Sequence, residues 1–158
     1  MKVSCKDYNG KVHIVDQDKL IERLSAYGIY VARGKVLLIQ DPRSLRWELP
    51  GGGIEAKETI RQGLTREFIE EAGVTPKGDI TLISEWEEFY YDIPTKQAWR
   101  STRKCYLVSA ISSERTLLAE GNGDDSGTAA FIPIEKLETL YISPEIRRAL
   151  STALPSNS

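Results

Sequence analysis

Apolar positions along this chain come in short runs with two different periods. Val36 to Ile39 is continuously apolar, which predicts a strand covered on both faces. It closes the stretch Tyr27–Gln40, which reads as two strands joined at Arg33-Gly34. Gly78–Ile93 predicts one or two further strands, and Arg103–Ile111 a central one. Trp47–Pro50 reads as a short strand ended by Pro50, after a loop over Asp41–Trp47. Ala129–Leu140 predicts a strand that runs into a helical turn. Asn9-Gly10 lies between two β-rich runs and predicts a hairpin with a type I′ turn, whose positive φ angles this pair adopts readily. Leu20, Ile21 and Leu24 predict a short helix. Loops are expected at Pro94–Thr102 and over the acidic, glycine-rich Ala119–Thr128.

The 3.6-residue period is clearest between residues 60 and 72. Leu64, Phe68 and Ala72 recur on one stripe. Thr59 and Gln62 have capping-box spacing, and Gly73 stands where a helix ends in the left-handed conformation. A helix is therefore predicted over about Ile60 to Ala72. Gly63 inside it costs roughly 1 kcal/mol relative to Ala, and a second backbone in close approach is the expected reason. Ser143-Pro144 opens a C-terminal helix, and the final four residues are expected to fray. Strands and helices in this order predict an α/β fold, a mixed β-sheet flanked by helices. The length suits a single domain over 1–158 with an N-terminal hairpin extension over about 1–25.

Composition narrows the function. A net charge of -2 gives no bulk attraction to nucleic-acid polymers or anionic membranes. Two distant cysteines, Cys5 and Cys105, make no disulfide framework and fit a reducing compartment. With no apolar signal segment at the N-terminus and no long apolar run, the expected location is cytoplasmic. His13 is the sole histidine and sits in a predicted hairpin strand, where an exposed, structural role is expected. That argues against Ser-His-Asp and Cys-His nucleophiles and against zinc sites. The glycines at 51–53 complete neither a P-loop nor a dinucleotide fingerprint, because Lys57 precedes Glu58.

The glutamates carry the chemistry. On a helix, Glu67, Glu70 and Glu71 stand at i, i+3 and i+4 and share a face. Carboxylates this close either take up protons or bind a cation, and hard divalent ions prefer such oxygen ligands. A solvated acidic face, with Arg66 paired to Glu70, is the bland alternative for an isolated E-x-x-E-E.

The longer spacing decides between them. Gly52, Glu58, Arg66, Glu67, Glu70, Glu71, Gly73 and Val74 fill every fixed position of G-x5-E-x7-R-E-x2-E-E-x-G-apolar. This resembles the Nudix box of the Nudix, or MutT-like, hydrolase superfamily. Phe68 departs mildly, since an aliphatic residue is more usual there. The resemblance implies an α/β/α sandwich and hydrolysis of a nucleoside diphosphate linked to a group X, with Mg²⁺ or Mn²⁺ as cofactor. It implies Glu67, Glu70, Glu71 and the Gly51 carbonyl as metal ligands, with Glu67 alternatively the base. Glu58 and Arg66 resemble the pair that orients the catalytic helix. A distal acidic residue, often a further base or ligand in the family, is sought at Asp125, with Glu120 and Asp124 as alternatives. The expected partner is a small nucleotide, first a nucleoside triphosphate, then a dinucleoside polyphosphate or nucleotide sugar. A non-catalytic nucleotide sensor is the other function class, and a homodimer is left open. Trp86, Tyr90, Tyr91 and Trp99 are candidates to stack on a base, and Arg43, Arg46, Arg100 and Arg103 to hold phosphates.

Overall fold

The computed structural model describes residues 1–109 and 128–154. Among these residues ten strands and two α-helices follow one another as β1 (Lys2–Lys6), β2 (Val12–Asp16), β3 (Ile21–Ile29), β4 (Val31–Ala32), β5 (Lys35–Gln40), β6 (Trp47–Glu48), β7 (Gly51–Gly53), α1 (Ile60–Ala72), β8 (Thr81–Asp92), β9 (Gln97–Leu107), β10 (Thr128–Pro133) and α2 (Pro144–Ala153). A six-stranded sheet has the order β2-β1-β8-β9-β3-β7 and is mixed: β1 with β8 and β3 with β9 are parallel pairs. A second sheet has β5 paired with β10, β4 and β6.

Both faces of the sheets are covered, and β5 shows why its sequence is continuously apolar. Leu37 and Ile39 enter a core with Leu64, Phe68 and Ala72 of α1. Val36 and Leu38 enter the opposite core with Ile146, Ala149 and Leu150 of α2. The layers are therefore helix, sheets, helix, as expected for a mixed α/β sandwich. Among the described residues no helix is long and apolar enough to cross a membrane.

Several local expectations hold. Arg33 and Gly34 both have positive φ, 52° and 74°, in the two-residue turn between β4 and β5. α1 spans Ile60–Ala72 with the reciprocal Thr59–Gln62 capping box, and Gly73 is left-handed at its end. Ser143 caps α2 through the Ile146 N–H.

Others are corrected. The segment predicted as a short helix is a 3-10 turn at Gln17–Lys19 followed by β3. Three apolar positions do not distinguish helix from strand, and register with β9 from Ile21↔Trp99 to Ile29↔Leu107 decides it. The loop expected at Pro94–Thr102 is mostly strand, because β9 pairs with β8 from Asp92↔Gln97 onward. The β1–β2 connection is not a two-residue type I′ turn. Asp7–Lys11 forms a five-residue loop in which Gly10 has positive φ and Asn9 does not. The Asp7 carboxylate sets that shape by accepting the N–H groups of Asn9 and Lys11. Among the described residues side chains of the preceding loop, not a second backbone, stand nearest Gly63: a Cβ there would lie 2.5 Å from the Ile54 side chain and 2.7 Å from the Glu58 carboxylate.

His13 is not a freely exposed strand residue either. Its Nε2 lies 2.7 Å from the Asp7 carboxylate, and its ring stacks on Tyr91 at 3.9 Å. Cys5 and Cys105 are fully buried, and burial raises both thiols, Cys105 to about 12. Fully buried thiols whose ionised form burial disfavours fit core residues rather than nucleophiles.

Candidate active site

α1 and the strand before it carry the site. β7 is the edge strand beside β3, and its three glycines admit close neighbours. At Gly51, with φ 145°, a Cβ would lie 2.2 Å from the Ala26 carbonyl oxygen. At Gly52 it would lie 2.7 Å from a Glu67 carboxylate oxygen. Gly52 thus leaves the space that the Glu67 head group fills.

Arg66 organises the N-terminal half of this site. Its Nη2 donates to Glu58 Oε1 at 2.7 Å and to the Gly53 carbonyl at 3.0 Å, and its Nε donates to Glu58 Oε2 at 3.2 Å. Nη1 donates to Glu67 at 3.0 Å and to Glu70 at 3.5 Å. The Arg66 hydrogen bond holds the Glu58 carboxyl below its ordinary value, and the same pair raises Arg66 further. Glu67 moves the other way: burial raises it, against the pull of Arg66.

Glu71, one helical turn beyond Glu67, is anchored differently. It accepts the Gly51 backbone N–H at 2.8 Å. Burial, helped by the charges of Glu67, Glu48 and Glu70, raises its carboxyl to about 8. Glu70 is the most exposed of the three.

Of the residues expected at the site, Glu58, Arg66, Glu67 and Glu70 therefore form one bonded network, and Glu71 pairs with Gly51. The carboxylates share a face but are drawn toward different partners. Among the described residues no three acidic, His or Cys side chains are already gathered closely enough to hold an ion. The donor chemistry nonetheless fits a hard divalent cation, because Glu67, Glu70 and Glu71 offer carboxylate oxygens on one helix face and burial beside the other carboxylates disfavours the charged form of Glu71. Asp125, Glu120 and Asp124 lie outside the described residues.

Beside Glu71 opens a cleft of about 350 Å³, lined by Tyr8, Tyr27, Asp41, Arg43, Glu48 and Gly51 among others. Of the arginines singled out in the sequence, Arg43 reaches it. Arg46 pairs with Glu48, Arg100 with Glu22, and Arg103 with Glu88. The aromatic candidates are also engaged elsewhere: Tyr90 stacks with Trp99, Tyr91 with His13, and Trp86 donates to Glu88. Tyr8 and Tyr27 were missed. Their nearness to Glu71 depends on strand pairing far along the chain, and no local spacing signals it.

Comparison with known proteins bears on the family and the fold. The family model of the NUDIX domain matches residues 22–152. An RNA pyrophosphohydrolase of Novosphingobium aromaticivorans is 30% identical over 125 residues, 72% of each chain. Another from Zymomonas mobilis is 34% identical over 77 residues, covering 44% of this chain and 49% of that one. The chain thus spans about half the length of some curated relatives it matches. Among solved structures, a MutT protein from Bacillus halodurans superposes with a TM-score of 0.65 at 24% identity, over 85% of this chain and 84% of that one. A MutT NUDIX hydrolase from Burkholderia pseudomallei gives 0.64 at 23%, over 85% and 99%. These two show the shared fold. A domain match that begins in β3, ends in α2 and takes in the whole glutamate-bearing helix leaves one assignment: the chain belongs to the Nudix family.

Proposed function

We propose that this protein is a divalent-metal-dependent pyrophosphohydrolase that cleaves a phosphoanhydride in a nucleotide, with a nucleoside triphosphate as the first candidate substrate. The observation that carries the proposal is the geometry of the box: Arg66 bonded to Glu58, Glu67 and Glu70, and Glu71 in the lining of a cleft. A binding module has no need for that full set, which favours an enzyme over a sensor.

In this proposal Glu70, Glu71 and the Gly51 carbonyl hold Mg²⁺ or Mn²⁺. When bound, the cation would neutralise diphosphate oxygens and lower the pKa of a water. Glu67 is the proposed base. Its carboxyl is raised by burial, and a raised carboxylate is a better proton acceptor near neutral pH. Arg66 holds the Glu67 head group through Nη1 and is itself held by Glu58 and the Gly53 carbonyl, so the base has a fixed orientation. Water attack on phosphorus then needs no covalent enzyme intermediate, in keeping with two buried, protonated thiols.

RNA is the second substrate class, because relatives matched over part or most of the chain are named RNA pyrophosphohydrolases. The test is a panel of nucleoside triphosphates, dinucleoside polyphosphates, nucleotide sugars and 5′-triphosphorylated RNA, each with Mg²⁺, Mn²⁺ or EDTA, resolved by phosphorus NMR. EDTA-sensitive cleavage of a free nucleotide is expected. Cleavage of the RNA alone moves the assignment to an RNA end, and tight binding without turnover moves it to a sensor.

A further inference from the structure

The cleft beside Glu71 is lined in part by a residue that the family match does not include. The match begins at residue 22, whereas Tyr8 belongs to the loop between β1 and β2. Tyr8 is 72% exposed, one of the most open large side chains among the described residues.

A single exposed tyrosine is ordinary, but the loop that presents this one is unusually well fixed. The Asp7 side chain is only 3% exposed. It accepts the N–H groups of Asn9 and Lys11 and pairs with His13, while the Gly10 N–H returns to the Asp7 carbonyl. His13 in turn stacks on Tyr91, which ties the loop to the long strand β8. The next side chain after this buried anchor is the Tyr8 ring. The loop thus fixes the backbone that carries the Tyr8 ring beside the cleft, so little of that backbone is left to order when a ligand arrives.

The rest of the cleft supplies the complement. Arg43 and Asp41 come from the loop after β5, and Glu71 and Gly51 from the proposed metal side. Tyr27 contributes a second ring, but the Arg103 guanidinium lies over it at 5.6 Å, so Tyr8 offers the less encumbered aromatic surface. Phosphates drawn to the carboxylate-bound cation would leave the base of a nucleotide to find an aromatic face.

We infer that Tyr8, at the tip of the N-terminal hairpin, is a specificity-determining residue that stacks on the substrate's base and selects nucleotides over base-free polyphosphates. This rests on the nucleotide reading above, and the experiment separates the two. The full-length protein and its Tyr8→Ala, Tyr8→Phe and Asp7→Ala variants are titrated, with Mg²⁺ present, against a non-hydrolysable nucleoside triphosphate analogue and against inorganic tripolyphosphate. Thermal melting confirms that each variant is folded.

Stacking of this kind predicts about a tenfold weaker nucleotide affinity for Tyr8→Ala, with tripolyphosphate affinity little changed. Tyr8→Phe should keep the wild-type preference, and Asp7→Ala, which frees the loop, should lose part of it. Unchanged nucleotide affinity in Tyr8→Ala overturns the inference. So does an equal loss for both ligands, which would make the ring a structural or phosphate-side element. A wild-type protein that binds tripolyphosphate no worse than the nucleotide removes the base from recognition and overturns it as well. Failure of the nucleotide reading shows in the wild-type protein alone, before any variant is compared.

Discussion

Arg66 and Glu58 meet in a two-point pair, Nη2 to Oε1 at 2.7 Å and Nε to Oε2 at 3.2 Å. The pair ties the second turn of α1 to the loop that precedes the helix. It also leaves Nη1 aimed at Glu67. A lysine keeps the charge but cannot make the fork. Arg66→Lys should therefore fold normally and lose turnover by about 10- to 100-fold, the usual cost of removing a residue that orients a ligand. Glu58→Gln should lose less, since one acceptor oxygen remains. Steady-state kinetics at saturating Mg²⁺ checks both, and an Arg66→Lys enzyme with wild-type kcat/KM would remove the positioning role.

Glu70 tests the assignment of ligands most cleanly, because its carboxylate is the most exposed of the three. Its carboxylate is 55% exposed and lies 3.5 Å from Arg66. Exposed pairs of this kind contribute about 0–1 kcal/mol. Glu70→Gln should thus nearly abolish metal-dependent turnover while the melting temperature stays within about 4 °C of wild type. A folded Glu70→Gln protein with wild-type turnover would sink the proposed site.

How much of this was legible in the sequence depends on the range of the interaction. The ends of α1 were, because Thr59, Gln62 and Gly73 act within one turn of their own positions. So was the Arg66–Glu58 pair, which the box spacing carries. Long-range pairing was not legible. Leu20, Ile21 and Leu24 suited a helix as well as a strand until β9 supplied partners. Which glutamate would be buried was equally hidden. Spacing puts Glu67, Glu70 and Glu71 on one face, but the hydrogen bond from the Gly51 N–H picks out Glu71. Tyr8 reached the cleft through the hairpin's placement against β8.

The raised Glu71 carboxyl makes a prediction about pH. Its folded value is about 8 against an ordinary 4.5. Between those values the folded protein keeps a proton that the unfolded chain has released, so stability falls as pH rises through that window. Glu67 is raised too and contributes with the same sign. Asp7, Asp16, Asp41 and Glu58 are lowered, so their contributions are fully present above their ordinary values of 3.8 to 4.5 and lost only in more acidic solution. In EDTA the melting temperature should therefore decline from about pH 5 to about pH 8, and Glu71→Gln should flatten the decline. Mg²⁺ should raise the wild-type melting temperature more at the alkaline end than at the acidic end. A uniform Mg²⁺ effect across that range would mean that Glu71 does not face the ion.

Gly28 links the core to the helix that carries the site. It lies on β3 with its open side against Phe68, the fully buried residue next to Glu67. An added Cβ would stand 2.6 Å from Phe68 Cε1 and Cζ and 2.8 Å from Val108 Cγ2. Neither neighbour can swing into solvent, so Gly28→Ala must shift β3 or push α1 outward. Overpacking of this type costs about 1–3 kcal/mol, and for a chain of this length each kcal/mol lowers the melting temperature by roughly 2–4 °C. Since Phe68 is on the same helix as Glu67, Glu70 and Glu71, turnover should fall beyond what the lost stability explains. Phe68→Leu shortens the opposing ring, so the double variant should recover part of both losses although Phe68→Leu alone is destabilising. Thermal melts and kinetics on the four proteins of that cycle measure the coupling. Simple additivity would show that the Gly28–Phe68 contact does not set the position of the helix.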